Sequence, residues 1–381
     1  MKIAVCLPSF NEVNTIDHVT RVVDSGLSEI SIAYPDAQVE ILNFDSDSKD
    51  GTPSAFLNTP SIAPKHSFII ARNSGKGGNI LEFCKYAVEN DIDYCLTMDS
   101  DVTSSTPKWI TALLCPLISQ EADYAVPIYK RSRFEGSSTN HFAFPVVYAL
   151  TGCAVRQPIA GDFAFTNKLA NKFIKNRILS ANFFYNYGID IFMTITAISS
   201  GGKVVQVDLG KKIHSSSFHK LECMFPQIAA VALMSFKNMA SSDNNQLFEA
   251  CSNILADKNF PHKNKALEMK ERALVALKKT RSLSWCPEAL IDEYLRISGS
   301  ESTFESGMSK LWVKILAFWI QFYLKKNLTV EIAEKAGSEL LPFFVLRAVN
   351  FWLWAEKAEV DEVETAIRMQ AEKLTSKVKT L

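Results

Sequence analysis

Between Lys2 and Ile128, short apolar runs of strand length alternate with stretches of helical period. Lys2–Leu7, Val39–Phe44, Ser67–Ala71, Tyr94–Met98 and Tyr124–Ile128 read as strands. Most are nearly continuous apolar runs, as expected of strands covered on both faces. Between them, Ile16, Val19 and Val23 share one helical face, and Ile80, Phe83, Cys84, Ala87 and Val88 share another. Thr106 is placed to cap the helix that Pro107 begins. This alternation predicts a mostly parallel α/β sheet with right-handed crossovers. Such sheets bind ligands beyond the C-terminal ends of their strands.

The residues at those ends carry chemistry. Pro8, Asn11 and Glu12 follow the first strand, and Asp45 and Asp47 close the second ahead of a Lys49-Asp50-Gly51 turn. The glycine-rich loop Arg72–Asn79 opens a helix, where Gly75, Gly77 and Gly78 let backbone N–H groups approach phosphate. It is not a Walker A loop, and taken alone it also reads as a flexible turn. Asp99-Ser100-Asp101 ends the fourth strand. In Asp-x-Asp one carboxylate can ligate Mg²⁺ or Mn²⁺ while the other orients a sugar or ribose hydroxyl. An Asp just after a strand also serves as a turn former or helix cap.

Farther on, Lys130-Arg131-Ser132-Arg133 reads as a solvated charge run or as an anion holder, because Arg offers a bidentate fork. A turn-rich loop, Arg156–Asp162, enters a short strand at Phe163, and Tyr187–Asp190 opens an apolar helix. The last strand, Val204–Val207, precedes Gly210-Lys211-Lys212-Ile213-His214. His214 is a candidate metal ligand, with His219 its near competitor and a structural His the plain alternative. Asp162 and Asp190 are candidates for acid–base work, and Asp190 also fits a helix N-cap.

From about residue 220 helix-period stretches take over: 221–239, 244–256, 262–280, 287–297, 306–326, 329–357 with a break near Pro342, and 359–378. Their aromatic residues, among them Trp312, Trp319, Phe343, Phe344 and Trp352, read as core, or as a subunit interface that would make a homo-oligomer. A peripheral membrane contact is the competing reading, since Lys314, Lys325 and Lys326 flank the stripe. No apolar run has the length of a spanning helix. Basic and acidic residues balance at 41 each, which lacks the basic excess of a nucleic-acid binder. The eight cysteines show no CxxC spacing and read as reduced thiols, so a cytoplasmic protein is expected.

Taken together, Pro8…Asn11-Glu12, Asp45-x-Asp47-x-x-Asp50-Gly51-Thr52, Gly75-Lys76-Gly77 and Asp99-Ser100-Asp101 resemble the nucleotide-sugar half of family 2-like GT-A glycosyltransferases. Asp101–Ile110, Gln157–Asp162, Tyr187–Asp190 and Gly210–His214 are similar to the retaining, mannosylglycerate synthase-like members. The resemblance covers about residues 1–220. It implies a GT-A catalytic domain over 1–220, with a donor half at 1–101 and an acceptor and metal half at 102–220. An α-helical region at 221–381 follows. It further implies that Pro8, Asn11, Glu12, Asp45, Lys76, Gly77, Asp99, Ser100, Gln157 and Gly161 hold the donor. Asp101 and His214 would bind Mn²⁺ or Mg²⁺. Arg131, Arg133, Ser138, Thr139 and Asn140 would hold a small anionic acceptor, with Asp162 and Asp190 beside the reacting sugar. This chain has Asp162 where the family usually has Glu, and His214 is offset by one residue. The Gln-x-x-Arg-Trp of processive inverting enzymes is absent, since Arg281–Trp285 does not fit it.

The expected activity is a metal-dependent, retaining transfer of a hexose, with mannose from GDP-mannose favoured. D-glycerate or a phosphoglycerate is the expected acceptor. A polyprenyl-phosphate glycosyltransferase and a nucleotidyltransferase on the same sheet are the rivals. The second would need a glycine-rich signature directly after the first strand, which Pro8–Glu12 is not.

Overall fold

The computed structural model describes residues 1–70, 75–176, 186–214, 218–239, 254–280, 283–299 and 305–378. Seven strands among them form one sheet: β1 (Lys2–Ser9), β2 (Gln38–Asp45), β3 (Lys65–Ile69), β4 (Tyr94–Thr97), β5 (Tyr124–Lys130), β6 (Phe163–Thr166) and β7 (Val204–Lys211). Their order is β3-β2-β1-β4-β6-β5-β7. β1, β2, β3 and β4 are parallel, with Ser9 opposite Asp45 at the shared C-terminal end. β6 runs antiparallel to both β4 and β5 and separates them. The sheet is therefore mixed rather than wholly parallel.

Helices α1 (Ile16–Ala33), α2 (Thr52–Asn58), α3 (Gly75–Glu89) and α4 (Pro107–Ile118) make the crossovers. Thr106 is the N-cap of α4 and Pro107 its first residue, where a missing N–H leaves nothing unsatisfied. The Cys6, Val5 and Leu7 side chains of β1 are wholly buried. So many apolar groups on a central strand hold the ends of β1 and β4 rigidly beneath the loops that follow them.

The described chain divides into two compact units: Met1–Tyr129 with residues 157–214, and Lys130–Arg156 with residues 218–239 and 254–378. The second unit holds α5 (Phe144–Thr151), which follows a wide turn at Thr139–Ala143. It also holds α8 (Leu221–Lys237), α9 (Lys263–Lys279), α10 (Glu288–Ser298), α11 (Glu305–Leu324), α12 (Val330–Ala355) and α13 (Val360–Val378). Two further helices, α6 (Asn167–Lys175) and α7 (Ile189–Ser199), belong to the first unit.

This division departs from a boundary placed only near residue 220. Residues 130–156 are built into the helical unit because Phe142, Val146 and Val147 are core residues there, and because Arg156 pairs with Glu364 of α13 at 3.2 Å. Two other expectations are corrected. α12 runs through Pro342 as one helix. Of the stretch 244–256, residues 244–253 lie outside the described residues, and Ile254 forms a bridge to Arg131 rather than a helical turn.

The core of the helical unit is aromatic. Trp312, Trp319, Phe343, Phe344 and Phe351 are at most 1% exposed, and Phe225 stacks on Phe344 with centroids 3.7 Å apart. Polar ends find partners inside: Trp312 Nε1 donates to the His141 carbonyl at 2.7 Å, and the Tyr294 hydroxyl donates to the Phe343 carbonyl at 2.8 Å. At Gly337 a Cβ would lie 2.2 Å from the Pro226 carbonyl oxygen, so only glycine lets α8 and α12 approach so closely. No helix among the described residues is long and apolar enough to cross a membrane.

Candidate active site

The loops after β1 and β2 are stitched together. Asp45 is fully buried and accepts from the Ser9 hydroxyl at 2.6 Å, the Ser48 N–H at 2.6 Å and the Ser48 hydroxyl at 2.7 Å. Ser48 in turn accepts from the Asn11 N–H at 2.7 Å, and Asn11 is left-handed with φ of 59°. The Glu12 N–H donates to Thr52 at 2.8 Å. Asp50 accepts from the Val13 N–H, the Thr52 N–H and the Thr52 hydroxyl. Burial pushes its carboxyl up, but these bonds to the charged form together outweigh it and hold the carboxyl below the ordinary range. Ser100 ties the fourth strand to the first by donating to the Pro8 carbonyl at 2.8 Å. Pro8, Asn11, Glu12, Asp45 and Ser100 therefore share one rim of the sheet.

Beside that rim lies a cluster of two lysines and three aspartates. Lys76, in the first turn of α3, places Nζ 2.8 Å from Asp99 Oδ1 and 3.3 Å from Asp190 Oδ1. Lys212, just beyond β7, places Nζ 3.0 Å from Asp99 Oδ2 and 2.7 Å from Asp162 Oδ2. Asp162 also accepts from the Asp99 N–H at 2.7 Å and from the Tyr129 hydroxyl. Gln157 donates to the Tyr129 carbonyl at 2.7 Å, which fastens the loop before β6 to β5.

Burial alone would raise the Asp99 pKa. The ammoniums of Lys212 and Lys76 outweigh it and hold that carboxyl well below the carboxylate range. Burial likewise opposes the charge on Lys76, and Asp190 and Asp99 reverse it, so Lys76 stays protonated. Asp190 and Asp101 go the other way. Burial raises the Asp190 pKa, with Lys76 only partly offsetting it. Burial followed by the negative charge of Asp99 raises that of Asp101.

The two acid–base candidates differ in setting. The Asp162 side chain is closed off from solvent, and both its oxygens accept hydrogen bonds. The Asp190 side chain keeps 12% exposure, and its Oδ1 lies near Lys76 without completing a hydrogen bond. The N-cap of α7 is Gly188, so Asp190 stands in the helix's first turn.

Asp101 and His214 come from turns that are bonded together. The Thr103 N–H donates to the Ile213 carbonyl at 3.0 Å, and the Ile213 N–H donates to the Ser104 hydroxyl at 2.8 Å. His219 belongs to the other unit. Among the described residues no three His, Cys, Asp or Glu side chains form a ready cage for a metal. Gly77, in the first turn of α3, is buried, and Arg72–Ser74 lie outside the described residues.

The residues expected to hold an acceptor all belong to the helical unit. Arg133 is 1% exposed, and its Nη1 donates to the carbonyls of Ala355 at 2.7 Å and Ala358 at 2.6 Å. Its Nε and Nη2 complete no hydrogen bond among the described residues. Asn140 accepts from Arg156 at 2.9 Å and donates to the Glu135 carbonyl at 3.3 Å. Ser138 and Thr139 are buried, and Arg131 is half-buried in its bridge to Ile254. Nη1 of Arg133 thus staples the turn between α12 and α13.

Sequence reasoning missed Lys212 and Tyr129. A Lys-Lys pair after a strand reads as solvated, and nothing in the sequence tells which of the two turns inward.

Gly161 makes the cluster possible. Its φ is +99°, and a Cβ there would lie 2.2 Å from Asp99 Oδ2 and 3.1 Å from Lys212 Nζ. Gly161→Ala is expected to lower stability by about 1–3 kcal/mol through backbone strain alone, and to abolish whatever function Asp99 serves. An unchanged urea midpoint would show that the loop yields freely.

Residues 4–179 match the family model described as Glycosyl transferase family 2. No curated protein matches the chain. Among solved structures, glucosyl-3-phosphoglycerate synthase from Mycobacterium tuberculosis in complex with Mn²⁺, UDP and phosphoglyceric acid is 24% identical, with a TM-score of 0.49 over 62% of this chain and 78% of that one. Its complex with Mg²⁺ and UDP is 24% identical, with a TM-score of 0.47 over 61% and 79%. A structure described only as a mycobacterial protein is 25% identical, with a TM-score of 0.47 over 61% and 74%. At that depth the likeness says nothing of this chain's own substrates. The family match takes in β1 to β6 and the Asp-x-Asp, so over residues 4–179 the chain is similar to family 2 glycosyltransferases.

Proposed function

We propose that the chain is a divalent-metal-dependent, retaining glycosyltransferase. It takes a hexose from a nucleotide diphosphate, with GDP-mannose the favoured donor, and passes it to a small anionic acceptor such as D-glycerate or a phosphoglycerate. It acts in the cytoplasm. The observation that carries this reading is the cluster of Lys76, Asp99, Asp162, Asp190 and Lys212 at the strand ends, with Asp101 and His214 on adjoining turns. Four aspartates, Asp101 among them, against two lysines leave an acidic excess, and burial followed by the charge of Asp99 raises the Asp101 pKa. That suits a divalent cation held by Asp101 and His214, the remaining positions being left to water and the donor's phosphates. Such a cation would neutralise charge developing on the departing diphosphate.

The chain's own groups supply the rest. The buried network around Asp45 shapes the nucleoside pocket, with Asn11 and Glu12 at its edge. Lys76 pairs with Asp99 at 2.8 Å and more loosely with Asp190 at 3.3 Å, and keeps some exposure, so it is placed to exchange a carboxylate for a phosphate oxygen. Asp99 meets a sugar hydroxyl. Asp190 is free enough to orient the attacking acceptor, which fits a retaining reaction in which the leaving diphosphate accepts the proton.

The test is a panel of nucleotide sugars with Mn²⁺ or Mg²⁺, read as slow donor hydrolysis and then as transfer to glycerate, phosphoglycerate, glycerol and a polyprenyl phosphate. GDP-mannose turnover with an α-linked product on an anionic acceptor is the expected result. Equal use of glycerol would remove the anionic acceptor, a β-linkage would remove retention, and transfer only to the polyprenyl phosphate would favour the membrane-lipid rival.

A further inference from the structure

Lys212 is a lysine with no freedom left. Its side chain is 3% exposed. An ammonium has three donors, and here they reach Asp162 Oδ2 at 2.7 Å, Asp99 Oδ2 at 3.0 Å and the Ala160 carbonyl at 3.0 Å. The ring of Tyr129 closes the fourth side, 4.9 Å from Nζ. Asp162 returns to the same point, because its Oδ1 accepts from the backbone N–H of Asp99. Asp99, Asp162 and Lys212 thus form a closed ring of bonds in which the main chain and side chain of Asp99 are both fixed.

The two oxygens of Asp99 are divided by this arrangement. Oδ2 faces inward to Lys212, and Oδ1 faces Lys76, whose side chain keeps 23% exposure. A carboxylate held only by Lys76 would be free to swing whenever Lys76 moved. With Oδ2 anchored, Lys76 can leave Asp99 and Oδ1 remains where it is. The Ala160 carbonyl, bonded to the same ammonium, also holds the backbone of Gly161 against Asp99.

We infer that Lys212 is a positioning residue of the donor site, which fixes the orientation of Asp99 and the Gly161 backbone so that one oxygen of Asp99 stays presented to the donor. The role deepens the glycosyltransferase reading and rests on it. Lysine suits it better than arginine, because three short bonds converge on one nitrogen and the planar guanidinium spreads its donors.

The experiment uses the full chain with Lys212→Met, Lys212→Arg, Asp162→Asn and the double variant Lys212→Met/Asp162→Asn, each followed by thermal melting and donor hydrolysis without acceptor. Lys212→Met strands the Asp162 carboxylate in the interior, so its melting temperature is expected to fall. The double variant removes that stranded charge and is expected to recover most of the loss. Its kcat for donor hydrolysis is expected to stay about 10–100-fold below that of Asp162→Asn, the usual effect of losing a group that orients a ligand. Lys212→Arg keeps the charge and is expected to fold, yet to remain slow. In a parallel transfer assay the acceptor KM should not move. If the double variant regains both stability and the Asp162→Asn rate, or if Lys212→Arg is fully active, Lys212 merely balances charge and the inference is wrong. A wild type that turns over no nucleotide sugar would instead overturn the glycosyltransferase reading itself, and the inference with it.

Discussion

Asp101→Ala is expected to remove sugar transfer by about 10³-fold or more and to leave the melting temperature unchanged or slightly raised. The rate follows from the proposed metal: such an ion is worth several kcal/mol at the charge it neutralises, and each 1.36 kcal/mol is about tenfold. The stability follows from the sign of the pKa shift. Burial and the charge of Asp99 raise the Asp101 pKa in the fold. A raised carboxyl pKa means that the folded protein binds the proton more tightly than the unfolded chain. The ionised group therefore opposes folding once the pH exceeds the unfolded value, and deleting it near neutral pH removes that opposition. His214→Ala should share the loss of rate, and His219→Ala should not, because the turn of His214 is bonded to the turn that carries Asp101. The check is turnover with and without EDTA beside a thermal melt. Full activity in EDTA would take the metal out of the mechanism.

Arg347→Met should unfold the helical unit more readily than any other single change described for it, by about 3–5 kcal/mol, the usual result of stranding one member of a buried ion pair. Arg347 is wholly buried and grips Glu305 with two bonds of 2.6 Å, while its Nε donates to Gln370 at 3.0 Å. Methionine fills the volume but leaves the Glu305 carboxylate beside apolar neighbours. Replacing Glu305 by Gln in the same chain should restore part of the loss. Five of the six tryptophans, all but Trp109, lie in this unit, so urea unfolding followed by tryptophan fluorescence reports on it directly. A shift in ΔG below about 1 kcal/mol would show that water reaches Glu305 and solvates it.

Much of this molecule is legible in one dimension. β1, β2 and β4 announce themselves because strands covered on both faces need nearly continuous apolar runs. Thr106-Pro107 announces the start of α4. The antiparallel placement of β6 is not legible, because Phe163–Phe165 is too short for its direction to show in composition. The uninterrupted course of α12 through Pro342 escapes for another reason. Pro disfavours a helix locally, but residues on both sides of Pro342, Leu340 and Phe343 among them, are wholly buried, and packing overrides propensity. At the site, Asp99, Asp101 and Lys76 follow from their place after strands. Lys212 does not, because its three partners come from residues 99, 160 and 162 and meet only in the fold. Arg133 is half legible. Its donor fork is evident from residue type, and its attachment to Ala355 and Ala358 could not be foreseen from more than two hundred positions away.

The splitting of the helical unit between residues 130–156 and the C-terminal helices has a consequence for how the protein is made. On the ribosome, the strands β1 to β5 emerge with α1 to α4 between them, all close to their partners in time. Phe142, Phe144, Val146 and Val147 follow, and their unit remains incomplete until α13, roughly two hundred codons later. At translation rates of about 5–20 residues per second, that segment waits on the order of 10–40 s with its apolar face uncovered. A nascent chain stalled near residue 220 should therefore hold a patch that invites a chaperone, and a gene cut there should yield an aggregation-prone polypeptide instead of a small soluble enzyme.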